Sequence, residues 1–157
     1  MSKERLLATA AALAPPSQLT GERLGRESDG LARQLTEAMT AHGDLAALIG
    51  DGNNDLMDTN HANHFKYMST LASLYEPTSF VETVLWVIRS YRSRGFSVRY
   101  WEVMLPEAVA IIEQTLPVEM ADEMSPLYTW ILNNLPDLVN LSSEPSFFER
   151  LSPFESE

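Results

Sequence analysis

Three side chains that can titrate or bind a metal ion share one face of a helix predicted over residues 54–75. Asp58, His61 and His64 follow one another at three-residue spacing, which places them on the same side of an α-helix. A carboxylate and two imidazoles can bind a metal ion, but such a site also needs ligands from a second element. The same residues can form a solvated polar stripe or line a ligand pocket, and their spacing leaves all three interpretations open.

The neighbours of the two histidines favour a ligand pocket. Met57, Phe65 and Met68 surround them with soft and aromatic side chains. Such side chains at helical spacing are typical of a protein core, but imidazoles buried among them would need hydrogen-bond partners. The pyrrole or propionate groups of a tetrapyrrole could be those partners.

The composition of the chain excludes several kinds of site and partner. The 157 residues contain no cysteine, which removes disulfides, thiolate metal sites, cysteine nucleophiles and thioether-linked cofactors. The net charge of −11 disfavours a nucleic-acid partner, because an acidic surface repels phosphate groups. None of the common hydrolase, metalloprotease or nucleotide-binding motifs occurs, so we expect a binding protein rather than an enzyme.

The hydropathy of the chain predicts a cytoplasmic protein without a membrane partner. No apolar run approaches the roughly 20 residues of a membrane span. The N-terminus carries charge, but no long apolar stretch and cleavage site follow it as they do in a signal peptide.

Prolines and glycines divide the chain into helical segments. Apolar residues recur at helical spacing, and no segment shows the alternation of a strand, so we predict an all-α bundle of about seven helices. The predicted helices span residues 2–13, 29–42, 54–75, 80–93, 97–115 and 119–135, with a short turn at 44–49. Ser28 or Asp29 would open the second helix and Thr78 would cap the fourth. The length predicts a single domain over 1–157, with a helical extension at 1–27 and an extended tail at 142–157.

A pattern of aromatic, basic and turn residues runs through about residues 54–140. It consists of Phe65-Lys66-Tyr67-Met68-Ser69, then Tyr75-Glu76-Pro77, Tyr91 with Gly95, and Pro106-Glu107-Ala108. On these residues the chain resembles the phycobiliproteins, which are globin-fold antenna proteins that carry linear tetrapyrroles. The resemblance implies a globin-like fold and places Tyr91 near a chromophore.

The chromophore-linking motif of that family, Cys-x-Arg-Asp, falls here on Met57-Asp58-Thr59-Asn60. Met57 stands in place of the linking cysteine, so a thioether bond cannot form. Asn60 stands in place of the aspartate that holds the pyrrole nitrogens, and Asp58 and His61 are candidates to replace it. The chain is therefore more similar to globins without the cysteine, namely bilin-biosynthesis-associated globins and non-haem globin sensors of bacterial stress signalling.

This resemblance implies non-covalent binding of a linear tetrapyrrole (bilin), such as biliverdin, for carriage or sensing. The expected pocket wall comprises Met57, Asp58, Asn60, His61, His64, Lys66, Tyr67, Trp86, Arg89 and Tyr91. Lys66 and Arg89 would pair with propionates, while Tyr67, Trp86 and Tyr91 would contact the rings. A homodimer, and enzymes that produce or use bilins, are the partners expected from the same resemblance.

Two alternatives stand beside bilin binding. The chain could be a ligand-free globin-like module that binds other proteins through its acidic surface, in a signalling role. It could also be a haem-binding globin, although residues 80–93 contain no histidine. Haem would then take its axial ligand from the long helix, through His61 or His64.

Overall fold

A computed structural model describes residues 3–143, and this part of the chain forms eight α-helices and no β-strand. The helices are α1 (Lys3–Ala11), α2 (Gln18–Thr40), α3 (Leu45–Ile49), α4 (Asn54–Ser73), α5 (Pro77–Ser93), α6 (Arg99–Thr115), α7 (Val118–Asn133) and α8 (Leu135–Ser142). The predicted all-α class is confirmed for these residues. The predicted C-terminal tail lies outside them, apart from its first two positions. None of the eight helices is long and apolar enough to cross a membrane.

The second helix begins at Gln18, so its predicted start at Ser28 or Asp29 is wrong. Ser17 caps it, with the hydroxyl accepting a hydrogen bond from the Thr20 N–H at 3.2 Å. Leu24 lies on the first turns and is fully buried. Residues 18–27 therefore belong to a 23-residue core helix and not to an N-terminal extension.

Two glycines inside α2 explain why the start of this helix at Gln18 was not predicted from the sequence. Gly21 and Gly25 weaken the helical prediction, because glycine is a poor residue for a helix interior. In the fold they let α4 approach closely: a Cβ atom at Gly21 would lie 2.9 Å from the Ser69 carbonyl oxygen. The Ser69 hydroxyl instead donates a hydrogen bond of 2.7 Å to the Gly21 carbonyl. The glycines are required by the contact between α2 and α4.

Two other boundaries also differ from the sequence prediction. Glu76, not Thr78, caps α5, since its carboxylate accepts from the backbone N–H groups of Thr78 and Ser79. The last predicted helix ends at Asn133, and a separate helix follows with Pro136 in its first turn. This break raises the number of helices from the predicted seven to eight in the described part of the chain.

The packing of the helices leaves a gap between α4 and α5. The main contacts of α4 are with α2, which also packs on α6, while α6 packs on α7. In contrast, α5 packs on α1 and α8. The backbones of α4 and α5 therefore barely approach each other, although the two helices are consecutive in the chain.

Candidate functional site

His61 lies in the protein core on the side of α4 that faces α2 and α6, with 1 % of its surface exposed. Its Nδ1 lies 2.8 Å from the Thr36 hydroxyl, and its Nε2 lies 2.9 Å from the Tyr100 hydroxyl. The imidazole ring is also parallel to the Tyr100 ring, with centroids 6.4 Å apart. Both ring nitrogens have protein partners, as burial requires. His61 is therefore a buried residue and not part of a solvated polar stripe.

His64 is partly buried and points toward α7, where its Nε2 lies 2.8 Å from the Tyr128 hydroxyl. Burial lowers the pKa of His64 to about 4. Burial, and then the charge of His64, lower the pKa of His61 to about 3. Both imidazoles are therefore neutral at pH 7. They can form hydrogen bonds with a ligand but cannot act as cations toward its carboxylates.

A cavity of about 60 Å³ lies in the gap between α4 and α5, and α6 closes its inner end. Its polar lining consists of Asn60, His64, Tyr67, Thr83, Tyr91 and Tyr100. The remaining wall is apolar and includes Phe80, Trp101 and Met104. An apolar cavity with a few polar groups is the usual form of a small-molecule site.

Two polar atoms of cavity-lining residues have no hydrogen-bond partner of normal geometry within residues 3–143. They are Nδ2 of Asn60, whose side chain is 8 % exposed, and the hydroxyl of Tyr67. Burial raises the pKa of Tyr67, and the nearby Thr83 hydroxyl opposes that rise. A buried polar group without a partner costs about 1–3 kcal/mol. A ligand that supplies the missing partners would recover that energy.

The volume of the cavity limits the size of what it encloses. One water molecule needs about 10–15 Å³, so the cavity holds on the order of four to six waters, comparable to one five-membered ring. Sites for drug-sized ligands measure roughly 300–1,000 Å³. A four-ring tetrapyrrole exceeds this volume, and the whole molecule fits between the helices only if α5 moves away from α4 and α6.

The structure brings four of the ten predicted site residues to this cavity. They are Asn60, His64, Tyr67 and Tyr91. The ring of Tyr91 packs against Phe96, Tyr100 and Trp101, with centroid distances of 5.1, 6.4 and 5.9 Å. These contacts hold the α5 wall of the cavity against α6.

The other six predicted residues lie elsewhere. Met57 is buried in the core and His61 is engaged by α2 and α6. Asp58 is exposed in a surface groove between α2 and α4 that Asp29 and Arg33 also line. Lys66 is exposed, Arg89 is partly exposed, and 54 % of Trp86 is exposed. Asp58, His61 and His64 therefore do not converge on one point.

The tyrosines that bind the histidines were not among the predicted site residues. Tyr100 is fully buried and precedes Met104 and Ala108 at four-residue spacing on the core face of α6. That spacing was visible in the sequence, and it places a hydroxyl in the core, where it needs a partner. Tyr128 occupies an equivalent core position on α7. Buried imidazoles and buried tyrosines, considered together, would have predicted the pairs.

Residues 3–143 contain no cluster of three or more histidine, aspartate or glutamate side chains that could hold a metal ion. Comparisons with protein-family models, with curated proteins and with solved structures find no match to this chain.

Proposed function

We propose that the protein binds a linear tetrapyrrole non-covalently between α4 and α5, for carriage or sensing. The observation that carries this proposal is the cavity whose lining residues Asn60 and Tyr67 have unpartnered polar atoms. The ligand class comes from the resemblance of residues 54–140 to phycobiliprotein-like globins. Under this proposal the bundle is a globin-like fold, the protein is cytoplasmic, and it makes and breaks no bonds.

The residues that would hold the tetrapyrrole differ in their roles. Asn60 and Tyr67 would donate hydrogen bonds to it, and the neutral imidazole of His64 would contact a pyrrole ring. Tyr91 and Trp101 would supply aromatic contacts. Lys66 on α4 and Arg89 on α5 keep their predicted role as partners of the propionates, outside the closed cavity. When bound, the tetrapyrrole supplies absorption of visible light.

Binding of the whole tetrapyrrole requires a separation of α4 and α5. This movement would break the ring contacts of Tyr91 with Tyr100 and Trp101, but α4 is held mainly by α2 whereas α5 is held by α1 and α8. The gap can therefore open without loss of the contact between α2 and α4. A ligand that binds the open form more tightly shifts the protein toward it.

The test is a titration of the purified protein with biliverdin, and separately with haemin, followed by visible absorption. We expect biliverdin to show a saturable band shift at one equivalent. After acid unfolding, mass spectrometry should find the bare chain, because the protein has no cysteine for a thioether bond. A Soret band with haemin and no response to biliverdin would replace this proposal with the haem-binding alternative.

A second candidate, a ligand-free protein-interaction module, is favoured by the exposure of Trp86. This side chain lies on α5 with 54 % of its surface exposed, and tryptophan is a frequent anchor in protein interfaces. A homodimer, or a complex with bilin-producing or bilin-using enzymes, would cover it. Absence of any response to both tetrapyrroles, together with Trp86-dependent self-association in sedimentation, would favour this candidate.

A further inference from the structure

The cavity between α4 and α5 offers hydrogen-bond donors but no ionic partner. None of the described residues that line it is Asp, Glu, Lys or Arg. His64 is neutral at pH 7, since burial lowers its pKa to about 4. A charged group enclosed here would have no counter-ion. The enclosed part of a ligand is therefore neutral.

The unpartnered atoms indicate which neutral group fits. Asn60 Nδ2 carries two N–H donors, and a phenol hydroxyl such as that of Tyr67 donates one hydrogen bond. Nδ2 of Asn60 has no acceptor within residues 3–143, whereas the Thr83 hydroxyl lies near that of Tyr67, so Asn60 is the donor that a ligand acceptor would meet. Tyr67 lies two helical turns beyond Asn60, about 10 Å along the axis of α4.

We propose that this cavity binds one neutral five-membered ring bearing a carbonyl group, and that Asn60 donates to the carbonyl oxygen through Nδ2. The size agrees, because a five-membered lactam with its oxygen has six heavy atoms and the cavity is about 60 Å³. This inference rests on the proposed function, in which the ring is the terminal lactam of a bilin. Asn60 then binds the terminal ring of the bilin, and the propionates lie outside the cavity.

Asn60 has a second property that can be tested without a ligand. Its side chain is 8 % exposed and its amide nitrogen is unpartnered within residues 3–143, so the amide destabilises the fold. Leucine has the same branched arrangement of four side-chain heavy atoms and no polar atoms. Asn60→Leu should therefore leave the melting temperature unchanged or raise it, while it removes the donor to the carbonyl.

The experiment compares two small probes on the ¹⁵N-labelled full-length chain by NMR. The probes are 3-pyrrolin-2-one, which has the lactam carbonyl, and pyrrole, which lacks it. We expect the lactam to bind about tenfold more tightly and to shift the side-chain amide signal of Asn60. Asn60→Leu should weaken lactam binding about tenfold and remove the preference for the lactam over the pyrrole. Asn63→Leu is the matched control, because Asn63 is exposed on the same helix.

Equal affinities for the two probes, or unchanged lactam affinity in Asn60→Leu, would overturn the inference. A lower melting temperature in Asn60→Leu with unchanged lactam affinity would make Asn60 a structural residue. A biliverdin titration of the same variants separates this failure from failure of the proposed function. If Asn60→Leu binds biliverdin with unchanged affinity, the proposed function stands and Asn60 has no role in it. If the protein binds the lactam but not biliverdin, the carbonyl site is supported and the tetrapyrrole is not its ligand.

Discussion

The two sides of α4 differ in whether their buried polar groups have hydrogen-bond partners. On the side facing α2 and α6, His61 forms hydrogen bonds with Thr36 and Tyr100, so both ring nitrogens are satisfied. On the side facing α5, Nδ2 of Asn60 and the hydroxyl of Tyr67 have no hydrogen-bond partner of normal geometry within residues 3–143, and a cavity adjoins both residues. Asn60 and His61 are adjacent in the chain, yet a helix turns by about 100° per residue, so the two side chains meet different neighbours.

This difference separates the residues that stabilise the fold from those available to a ligand. A satisfied buried network holds α2, α4 and α6 in one arrangement. Unsatisfied groups such as Asn60 lower stability, and groups of this kind in a native structure call for a functional explanation. Loss of His61 should therefore harm the fold, whereas loss of the groups at the cavity should harm binding.

Acid should produce the largest effect, and it should act on the histidines of α4. The pKa values of His61 and His64 are about 3 and about 4, below the ordinary value of 6.5 that both have in the unfolded chain. As the pH falls below 6.5 the unfolded chain takes up protons first, so stability declines. At pH 5 each imidazole should lower the free energy of unfolding by about 2 kcal/mol, or about 4 kcal/mol together. Urea denaturation at pH 7.5 and 5.0 measures this, and equal stability at the two values would contradict buried neutral imidazoles.

The variant His61→Ala should disrupt the hydrogen-bond network on the side of α4 that faces α2 and α6. It removes a buried ring and leaves the hydroxyls of Thr36 and Tyr100 without their partner, so we expect a loss of about 3 kcal/mol. His42→Ala is the control: His42 is partly exposed near Glu107, and its loss should change stability by less than about 0.5 kcal/mol. Urea denaturation at pH 7.5 compares the two, and similar stabilities would place His61 outside the core network.

Binding of biliverdin should distinguish the two histidines. Both are predicted from the sequence to contact the ligand, but in the structure His64 alone of the pair lines the cavity. His64→Ala should weaken binding about tenfold, equivalent to about 1.4 kcal/mol. His61→Ala, tested where it remains folded, should leave the dissociation constant unchanged. Equal losses in the two variants by absorption titration would mean that the ligand contacts both faces of α4.

The substitution Trp86→Ala should have the smallest effect. Trp86 is half-exposed and does not line the cavity, so both stability and biliverdin affinity should change by less than about 0.5 kcal/mol. Thermal melts and the same absorption titration measure these quantities. A tenfold loss of affinity would instead extend the tetrapyrrole site onto the outer face of α5.

The all-α class could be predicted from the sequence because helical periodicity and helix-ending residues are local properties. The spacing of apolar residues and the positions of Pro77, Gly95 and Pro117 place α4 to α7 close to where they lie. The start of α2 could not be predicted in this way. Gly21 and Gly25 have low helix propensity, which disfavours a helix in a local prediction. They are favourable only in the tertiary structure, because α4 packs closely against them.

The chemistry of α4 was likewise only partly determined by the sequence. Three-residue spacing selects Asp58, His61 and His64, whereas the face that meets the cavity carries Asn60, His64 and Tyr67 at spacings of four and three. Both sets obey helical geometry, so the sequence cannot choose between them. The choice depends on which side of α4 is covered by α2 and which side is left facing α5, and only the packing of the whole bundle decides that.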